Sequence, residues 1–174
     1  MSTEPATKRL FFALWPDDAT REQLAHATRK AVRASGGRPI AAANLHATLL
    51  FIGSVSEERI ADLEAAAGGV AVTPFALAFD QVEHWHKAGV LCAAASQTPD
   101  AANELAAALS RNVARAGFTP DFKPFRAHVT VARKVVKPHA LGPIHPVHWP
   151  IKGFALVESQ TLPEGSRYTV VRRW

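Results

Sequence analysis

An internal repeat is the sequence feature that most restricts how this chain can fold. The dipeptide Pro-Asp opens a long helical pattern at residue 16 and another at residue 99, 83 residues later. Residues 45–48 (LHAT) follow the first pattern and residues 127–130 (AHVT) follow the second, with the two histidines 82 residues apart. Because the two offsets agree to within one residue, a strand–helix–strand unit that ends in His-x-Thr occurs twice. Two copies are too few for a solenoid, so we expect two lobes related by a pseudo-twofold axis.

Hydrophobic periodicity predicts strands and helices in alternation. Apolar residues recur at helical spacing over residues 17–35 and 100–116, and glycines follow both segments. A shorter helix is predicted after Ser56, which offers an N-cap, and it ends at residues 68–69. The proline-rich stretch that holds His139, His145 and His148 is predicted to be a loop. Strands are predicted at residues 10–15, 45–55, 74–82, 90–95, 127–136, 154–160 and 168–174.

Length and composition describe a globular protein. The 174 residues are 48% apolar and 20% charged, which excludes a disordered chain. With Cys92 as the single cysteine, no internal disulfide can form, which suits the reducing cytosol. The apolar run at residues 10–15 is too short to span a membrane. We therefore expect a soluble, cytoplasmic monomer in which residues 1–174 form one domain made of two intertwined lobes.

The net charge of the chain excludes few classes of binding partner. A net charge of +5 is compatible with an anionic substrate such as a phosphate ester or an RNA end. The excess is weaker than in a dedicated duplex-DNA binder. It is equally compatible with a charge that only keeps the protein soluble.

The two His-x-Thr segments carry residue types that suit chemistry at phosphorus. Residues i and i+2 of a strand share a face, so His46 lies beside Thr48 and His128 beside Thr130. If the repeat brings these faces together, one imidazole can deprotonate the attacking oxygen while the other protonates the leaving oxygen. The hydroxyls can donate to the non-bridging oxygens, and the mechanism requires no metal ion and no cofactor. A lone histidine on an apolar strand is usually a core residue, but two at matched positions favour a catalytic pair.

Several segments together carry a family resemblance. The chain resembles the 2H phosphoesterases, a superfamily named for two H-x-[ST]-x motifs. The segments that carry this resemblance are residues 9–14 (RLFFAL), 45–53 (LHATLLFIG), 125–133 (FRAHVTVAR) and 156–159 (LVES). The chain is most similar to the superfamily's bacterial branch of RNA 2′,3′-cyclic phosphodiesterases, the 2′-5′ RNA ligase family. Three residues near the end also fit, namely Gly165, Tyr168 and Trp174.

The resemblance implies a fold, a reaction and a set of roles. The implied fold is α+β, with two lobes, each an antiparallel sheet with helices packed outside, around a central active-site cleft. The implied reaction is metal-independent hydrolysis of RNA 2′,3′-cyclic phosphate ends to 2′-phosphomonoesters. His46 is the implied proton donor and His128 the proton acceptor, although the residues alone leave that order open. Arg133 is implied as a phosphate ligand and Phe51 as a surface for the nucleobase.

Strict strand alternation conflicts with the last two roles. Arg133 and Phe51 each lie five residues after a motif histidine, which places them on the opposite face of an ideal strand. A β-bulge, a strong twist or a strand end at that point would resolve the conflict. Otherwise Phe51 is a core residue and Arg133 a surface charge. Arg126 shares the face of His128 and is a further candidate phosphate ligand.

Several alternatives stay open. The predicted partner is RNA with a 2′,3′-cyclic phosphate end or a small nucleotide, but the histidines also suit 2′-5′ linkages, small cyclic nucleotides or the reverse ligase reaction. A module that binds RNA ends with little turnover has the same composition. His84 and His86 could form a metal pair, but no third ligand is spaced near them, which favours a structural or surface role. Four tryptophans could stack on bases or anchor the core, namely Trp15, Trp85, Trp149 and Trp174.

Overall fold

The computed structural model describes residues 6–121 and 123–174, which form two antiparallel sheets with helices packed against them. Every helix in these residues is too short or too polar to span a lipid bilayer. The helices are α1 (Asp18–Ala34), α2 (Ile60–Gly68) and α3 (Asp100–Arg115), and short 3-10 turns cover Ala42–Asn44 and Glu57–Arg59. The strands are β1 (Thr7–Leu14), β2 (Arg38–Pro39), β3 (Ala47–Ser56), β4 (Phe75–Trp85), β5 (Val90–Ala94), β6 (His128–Arg133), β7 (Gly142–Ile151), β8 (Ala155–Leu162) and β9 (Gly165–Arg173).

The two sheets repeat one strand order. The first sheet is ordered β3-β1-β8-β9 and the second β2-β6-β5-β4-β7, so β3-β1-β8-β9 corresponds to β6-β5-β4-β7. The units β1-α1-β3 and β5-α3-β6 are the two copies of the predicted strand–helix–strand repeat. Each copy leads to a histidine, with His46 directly before β3 and His128 at the start of β6. The α+β class and the two-lobe architecture are confirmed.

The long helices tie the two sheets together. α1 follows a strand of the first sheet but packs against β5, β6 and β7 of the second, while α3 packs against β3 of the first. Buried residues from both sheets, among them Phe12, Leu14, Leu77 and Phe79, belong to one continuous hydrophobic cluster. Moving one sheet relative to the other would expose that cluster to water. The shared core therefore holds β3 and β6 in contact.

Local sequence sets both ends of α1. The side chain of Asp17 accepts a hydrogen bond from the amide of Thr20 at 2.8 Å and caps the first turn. Leu24 and Ala31 are buried on the inner face of the helix. Gly36, with a φ of 63°, adopts the left-handed conformation that ends a helix. The predicted segment, residues 17–35, therefore contains the helix together with its two caps.

The prediction of a loop in the proline-rich stretch holds for His139 but is wrong for residues 142–151, because Gly142–Ile151 forms β7. β7 is an edge strand of the second sheet, where a proline can stand without removing a ladder hydrogen bond. Val147 and Trp149 are buried and alternate with exposed residues. His145 and His148 are consequently strand residues with exposed side chains.

Two smaller features also differ from the sequence predictions. Ser56 precedes a 3-10 turn and its side chain makes no capping hydrogen bond, so the α-helix starts only at Ile60. No periodicity predicts β2, which is two residues long. Its partners explain it, because Arg38 pairs with Arg133 and Pro39 with Ala132 at the edge of the second sheet.

We expect Gly37→Ala to destabilise the protein, because residue 37 lies tightly against the end of β6. A Cβ atom there would lie 2.8 Å from the carbonyl oxygen of Arg133, a backbone atom that cannot rotate away. The expected loss in the free energy of unfolding, measured by urea denaturation, is about 1–3 kcal/mol. Gly68→Ala is the matched control, because its Cβ would meet only the indole nitrogen of Trp174, at 3.6 Å. Equal losses in the two variants would contradict this account of the contact.

Candidate active site

The motif side chains lie partly exposed at the contact between the two sheets. His46, Thr48, His128 and Thr130 are partly accessible to solvent. Their neighbours at positions 45, 47, 127 and 129 are buried. The predicted alternation therefore holds through both motifs, and neither imidazole is sealed in the core.

Cross-strand pairing identifies the sheet faces that carry the motifs, which we call the motif faces. Directly opposed residues of paired strands have their side chains on one face. Thr48 is opposite Ala13 of β1 in the first sheet. In the second sheet Thr130 is opposite Cys92 of β5, and His128 is opposite the last residue of that strand. The opposite faces of both sheets contribute to the large shared core.

A β-bulge follows each motif at the equivalent position. Leu49 of β3 has no partner at the register shift with β1, and Val131 of β6 has none at the shift with β5. Both residues come three positions after the motif histidine, so the bulge belongs to the repeat. A bulge adds one residue to one strand and so reverses which face the following residues occupy.

The bulges place Phe51 and Arg133 on the motif faces. Phe51 is opposite Phe11 of β1, their rings are 5.9 Å apart, and Phe51 is 54% exposed. Arg133 is opposite Val90 of β5, two residues before the partner of Thr130 and therefore on the same face. The conflict with strict alternation is resolved in both strands. The roles that the resemblance implies for these two residues stay predictions.

Both imidazoles are oriented by the same backbone hydrogen bond. Nδ1 of His46 lies 2.7 Å from the carbonyl oxygen of Asn44, and Nδ1 of His128 lies 2.7 Å from that of Arg126. A carbonyl oxygen can only accept, so Nδ1 carries a proton in each ring and donates it. In the neutral ring Nε2 then has a free lone pair. Each histidine can accept a proton there or, once charged, donate one.

Aromatic side chains bury most of the His46 ring. Trp15 stacks on it with 5.6 Å between ring centroids, and Phe11 and Tyr168 each lie 5.0 Å away. Burial disfavours the charged imidazolium and is the main reason that the pKa of His46 falls from 6.5 to about 4. The hydrogen bond to Asn44 opposes this effect in part. His46 is therefore neutral at pH 7 in the free protein.

The charges that act on His46 come from the other motif. Arg133 and His128, both on β6, are among the causes that lower its pKa. β3 and β6 are also in direct contact. The fold thus brings two imidazoles and a guanidinium to one site.

The surroundings of His128 are more polar. The ring centroid of Trp85 lies 4.1 Å from that of His128. Glu83 accepts hydrogen bonds from the Trp85 indole at 2.9 Å and from Arg126 at 2.6 Å. Burial lowers the pKa of His128, the backbone hydrogen bond opposes it, and the charges of Arg126 and Glu83 act in opposite directions. Arg126 already has a carboxylate partner, and its role as a phosphate ligand stays a prediction.

Three residues of the site were given no role by the sequence. The side chain of Asn44 donates to the carbonyl oxygen of Ser166 at 3.0 Å, which fastens the turn before His46 to β9. Glu83 orients Trp85 and Arg126, and Tyr168 contacts His46. Glu83 and Trp85 are two residues apart in β4 and therefore share one strand face, which strand alternation could have indicated from the sequence. Asn44 and Tyr168 carry no such local signal.

The other histidines of the sequence analysis lie outside the site. His84 and His86 have ring centroids 4.2 Å apart, and His84 is opposite Leu91, on the core face of the second sheet. Within the described residues no group of three or more His, Cys, Asp or Glu is placed to hold a metal ion. Among the tryptophans, Trp15 and Trp85 contact motif histidines, whereas two others, Trp149 and Trp174, pack in the core.

The chain has duplicated halves that each present an oriented imidazole, and comparison with known proteins shows that it is a phosphoesterase. The family described as LigT like Phosphoesterase matches the chain twice, over residues 14–92 and 93–168, with one motif in each match. This chain belongs to the LigT-like phosphoesterase family, as the resemblance predicted.

Relatives and solved structures cover nearly the whole chain. An RNA 2′,3′-cyclic phosphodiesterase of Escherichia coli (strain K12) is 32% identical over 169 residues, 96% of each protein. A protein of the same name from Thermus thermophilus is 30% identical over 176 aligned positions, 95% of this chain and 89% of that protein. The crystal structure of E. coli LigT complexed with 3′-AMP has a TM-score of 0.88 at 32% identity, covering 97% and 98% of the two chains.

Replacing Trp15 with alanine should raise the pKa of His46. The substitution lets water reach one face of the ring, and burial is the largest cause of the low value. NMR titration of the imidazole should give a pKa of about 4 in the wild type and a value closer to 6.5 in Trp15→Ala. Trp174→Ala is the control, because this indole stacks on Phe154 instead. The same pKa in wild type and Trp15→Ala would contradict the assignment to burial.

Proposed function

We propose that this phosphoesterase hydrolyses the 2′,3′-cyclic phosphate at RNA ends to a 2′-phosphomonoester, with His46 and His128 as the acid–base pair. The observation that carries the proposal is the pair of equivalent imidazoles, each with a free Nε2, on strands in contact. The names of the E. coli and T. thermophilus relatives support this substrate. The 3′-AMP in the E. coli LigT crystal structure supports binding of a nucleotide.

The proposed reaction is an in-line displacement at phosphorus. The oxygen of a water molecule forms a bond to phosphorus while the bond from phosphorus to O3′ breaks. His128 accepts the proton of the water, and His46 donates a proton to O3′, in the order that the family resemblance implies. The phosphate stays on O2′ and a 3′-hydroxyl is released. Transfer of a proton back to His46 through solvent restores the pair.

The remaining site residues stabilise charge and hold the nucleotide. Thr48 and Thr130 donate hydrogen bonds to the non-bridging oxygens, where negative charge increases in the transition state. Arg133 adds a guanidinium that has no carboxylate partner among the described residues. Phe51, exposed beside Phe11, offers a ring face to the terminal base.

The low pKa of His46 fits a role as proton donor once substrate is bound. The free ring is neutral at pH 7, and the negative charge of a cyclic phosphate beside it favours protonation. Because the buried imidazolium is poorly solvated, its pKa is low, and it is therefore a strong acid that readily donates its proton to the leaving oxygen. The same environment would make a poor base, because the neutral ring has low proton affinity.

Other substrates, the reverse reaction and a binding function are the alternatives to this proposal. The same imidazoles could act on a 2′-5′ linkage or a small cyclic nucleotide, and ligation is the reverse of the same chemistry. A module that only binds RNA ends is less favoured, because two oriented histidines and two threonines are present. Cytoplasmic location, a monomeric state and a single domain over residues 1–174 stay predictions.

Loss of either imidazole should abolish most of the activity. His46→Ala and His128→Ala should each lower kcat on an RNA oligonucleotide with a 2′,3′-cyclic phosphate end by at least about 10², because each removes one proton transfer. His26→Ala, on the exposed side of α1, is the control and should retain full activity. The product should carry its phosphate on O2′. Full activity of either motif variant would overturn the acid–base pair, and a wild type that binds the RNA but releases no product would favour the binding module.

The pH dependence of kcat/KM should be bell-shaped, with its maximum below pH 6.5. The active free enzyme holds one proton on the pair, because it needs one acid and one base. Both histidines have pKa values below the usual 6.5, and that of His46 is about 4. As pH rises past these values the remaining proton leaves and kcat/KM falls. A maximum at or above pH 7 in steady-state assays would contradict these protonation states.

A further inference from the structure

A second arginine lies beside Arg133 on the motif face of the second sheet. Arg38 of β2 is directly opposite Arg133 of β6 in the antiparallel pair. Directly opposed residues place their Cβ atoms about 4.5–5.5 Å apart on one face of the sheet. Since Arg133 lies on the motif face, Arg38 lies there too. Both side chains are exposed.

Like seven other arginines of the chain, the two arginines of this pair have no carboxylate partner among the described residues. Ion pairs within the described residues join Arg21, Arg59, Arg126 and Arg172 to Asp or Glu side chains. Neither Arg38 nor Arg133 has a carboxylate within ion-pair distance among these residues. Like charges directly opposed across two strands repel each other. Anions bound by the two guanidinium groups would offset that repulsion.

The backbone that carries Arg38 is fastened to the bulge after the second motif. The amide of Ile40, two residues beyond Arg38, donates to the carbonyl oxygen of Val131 at 2.9 Å. Val131 is the bulge residue that places Arg133 on the motif face. Gly37, on the other side of Arg38, lies tightly against the carbonyl oxygen of Arg133. The two arginines are therefore held in one register by the same stretch of backbone.

The position of Arg38 suits a phosphate other than the reacting one. Arg133 is close enough to the site to lower the pKa of His46. Arg38 is opposite Arg133 at the end of β6, five residues along the strand from His128. A strand advances about 3.3 Å per residue, so the backbone of Arg38 lies well away from that of His128. In RNA the next anion is the phosphodiester on the 5′ side of the terminal nucleotide. A free cyclic nucleotide has no such group.

We propose that Arg38 binds the phosphodiester on the 5′ side of the terminal nucleotide, while Arg133 binds the reacting phosphate, so that the site prefers RNA ends to free cyclic nucleotides. This inference rests on the proposed hydrolysis of cyclic phosphate ends. A guanidinium binds a phosphate through two parallel hydrogen bonds, which suits a fixed position on a strand better than a flexible lysine would. Arg38 is thus a specificity residue outside the acid–base chemistry.

The test compares two substrates that share one reacting group. kcat/KM is measured for a nucleoside 2′,3′-cyclic phosphate with a free 5′-hydroxyl and for a short RNA oligonucleotide that ends in the same cyclic nucleotide. In Arg38→Gln the ratio of the RNA value to the nucleotide value should fall about tenfold, because one phosphate contact is lost only with RNA. Arg38→Lys should recover part of the ratio. The salt dependence of KM for RNA should become weaker, by about 0.7 in the log–log slope.

Arg111→Gln is the matched control, because it removes the same charge from an exposed position on α3, a helix that packs against β3 and α2. Its substrate ratio should equal that of the wild type. Equal losses on both substrates in Arg38→Gln, or no loss on either, would overturn this inference while leaving the proposed function intact. A wild type that hydrolyses neither ester would overturn the proposed function and this inference with it.

Discussion

The contact between β3 and β6 is the constraint on which the whole site depends. His46 directly precedes β3 and His128 starts β6, and the two strands belong to different sheets, so no hydrogen-bond ladder joins them. Their position is set instead by the exchange of helices, since α1 packs on the second sheet and α3 on the first. Burial of one continuous hydrophobic cluster favours this arrangement and therefore also orders the polar site.

The two motif histidines make the same hydrogen bond to the backbone but lie in different surroundings. Both imidazoles donate from Nδ1 to a carbonyl oxygen two residues earlier, at 2.7 Å in each case. His46, however, is packed among aromatic rings of the first sheet, whereas Glu83 and Arg126 lie near His128. Acid–base catalysis benefits when two titratable groups have different proton affinities. Because the two motifs have the same pattern, the difference in proton affinity between their histidines comes from the residues that surround each motif.

Much of the architecture could be predicted from local pattern. Asp17 and Gly36 bound α1, the spacing of two His-x-Thr segments identified the repeat, and alternation placed each threonine beside its histidine. The prolines of β7 misled the prediction, because whether a proline is tolerated in a strand depends on its being at the edge of a sheet. The short strand β2 has no periodicity to detect, and its existence depends on β6 as a partner.

The chain by itself determined which residue types recur, where the two long helices α1 and α3 begin and end, and which side chains share a strand face over a few residues. These properties follow from backbone geometry and from neighbours in sequence. Only the tertiary structure decided that Phe51 and Arg133 face the histidines, because the bulges at Leu49 and Val131 are defined by pairing with β1 and β5. It also decided the low pKa of His46, since the rings that exclude water from that imidazole come from distant parts of the chain.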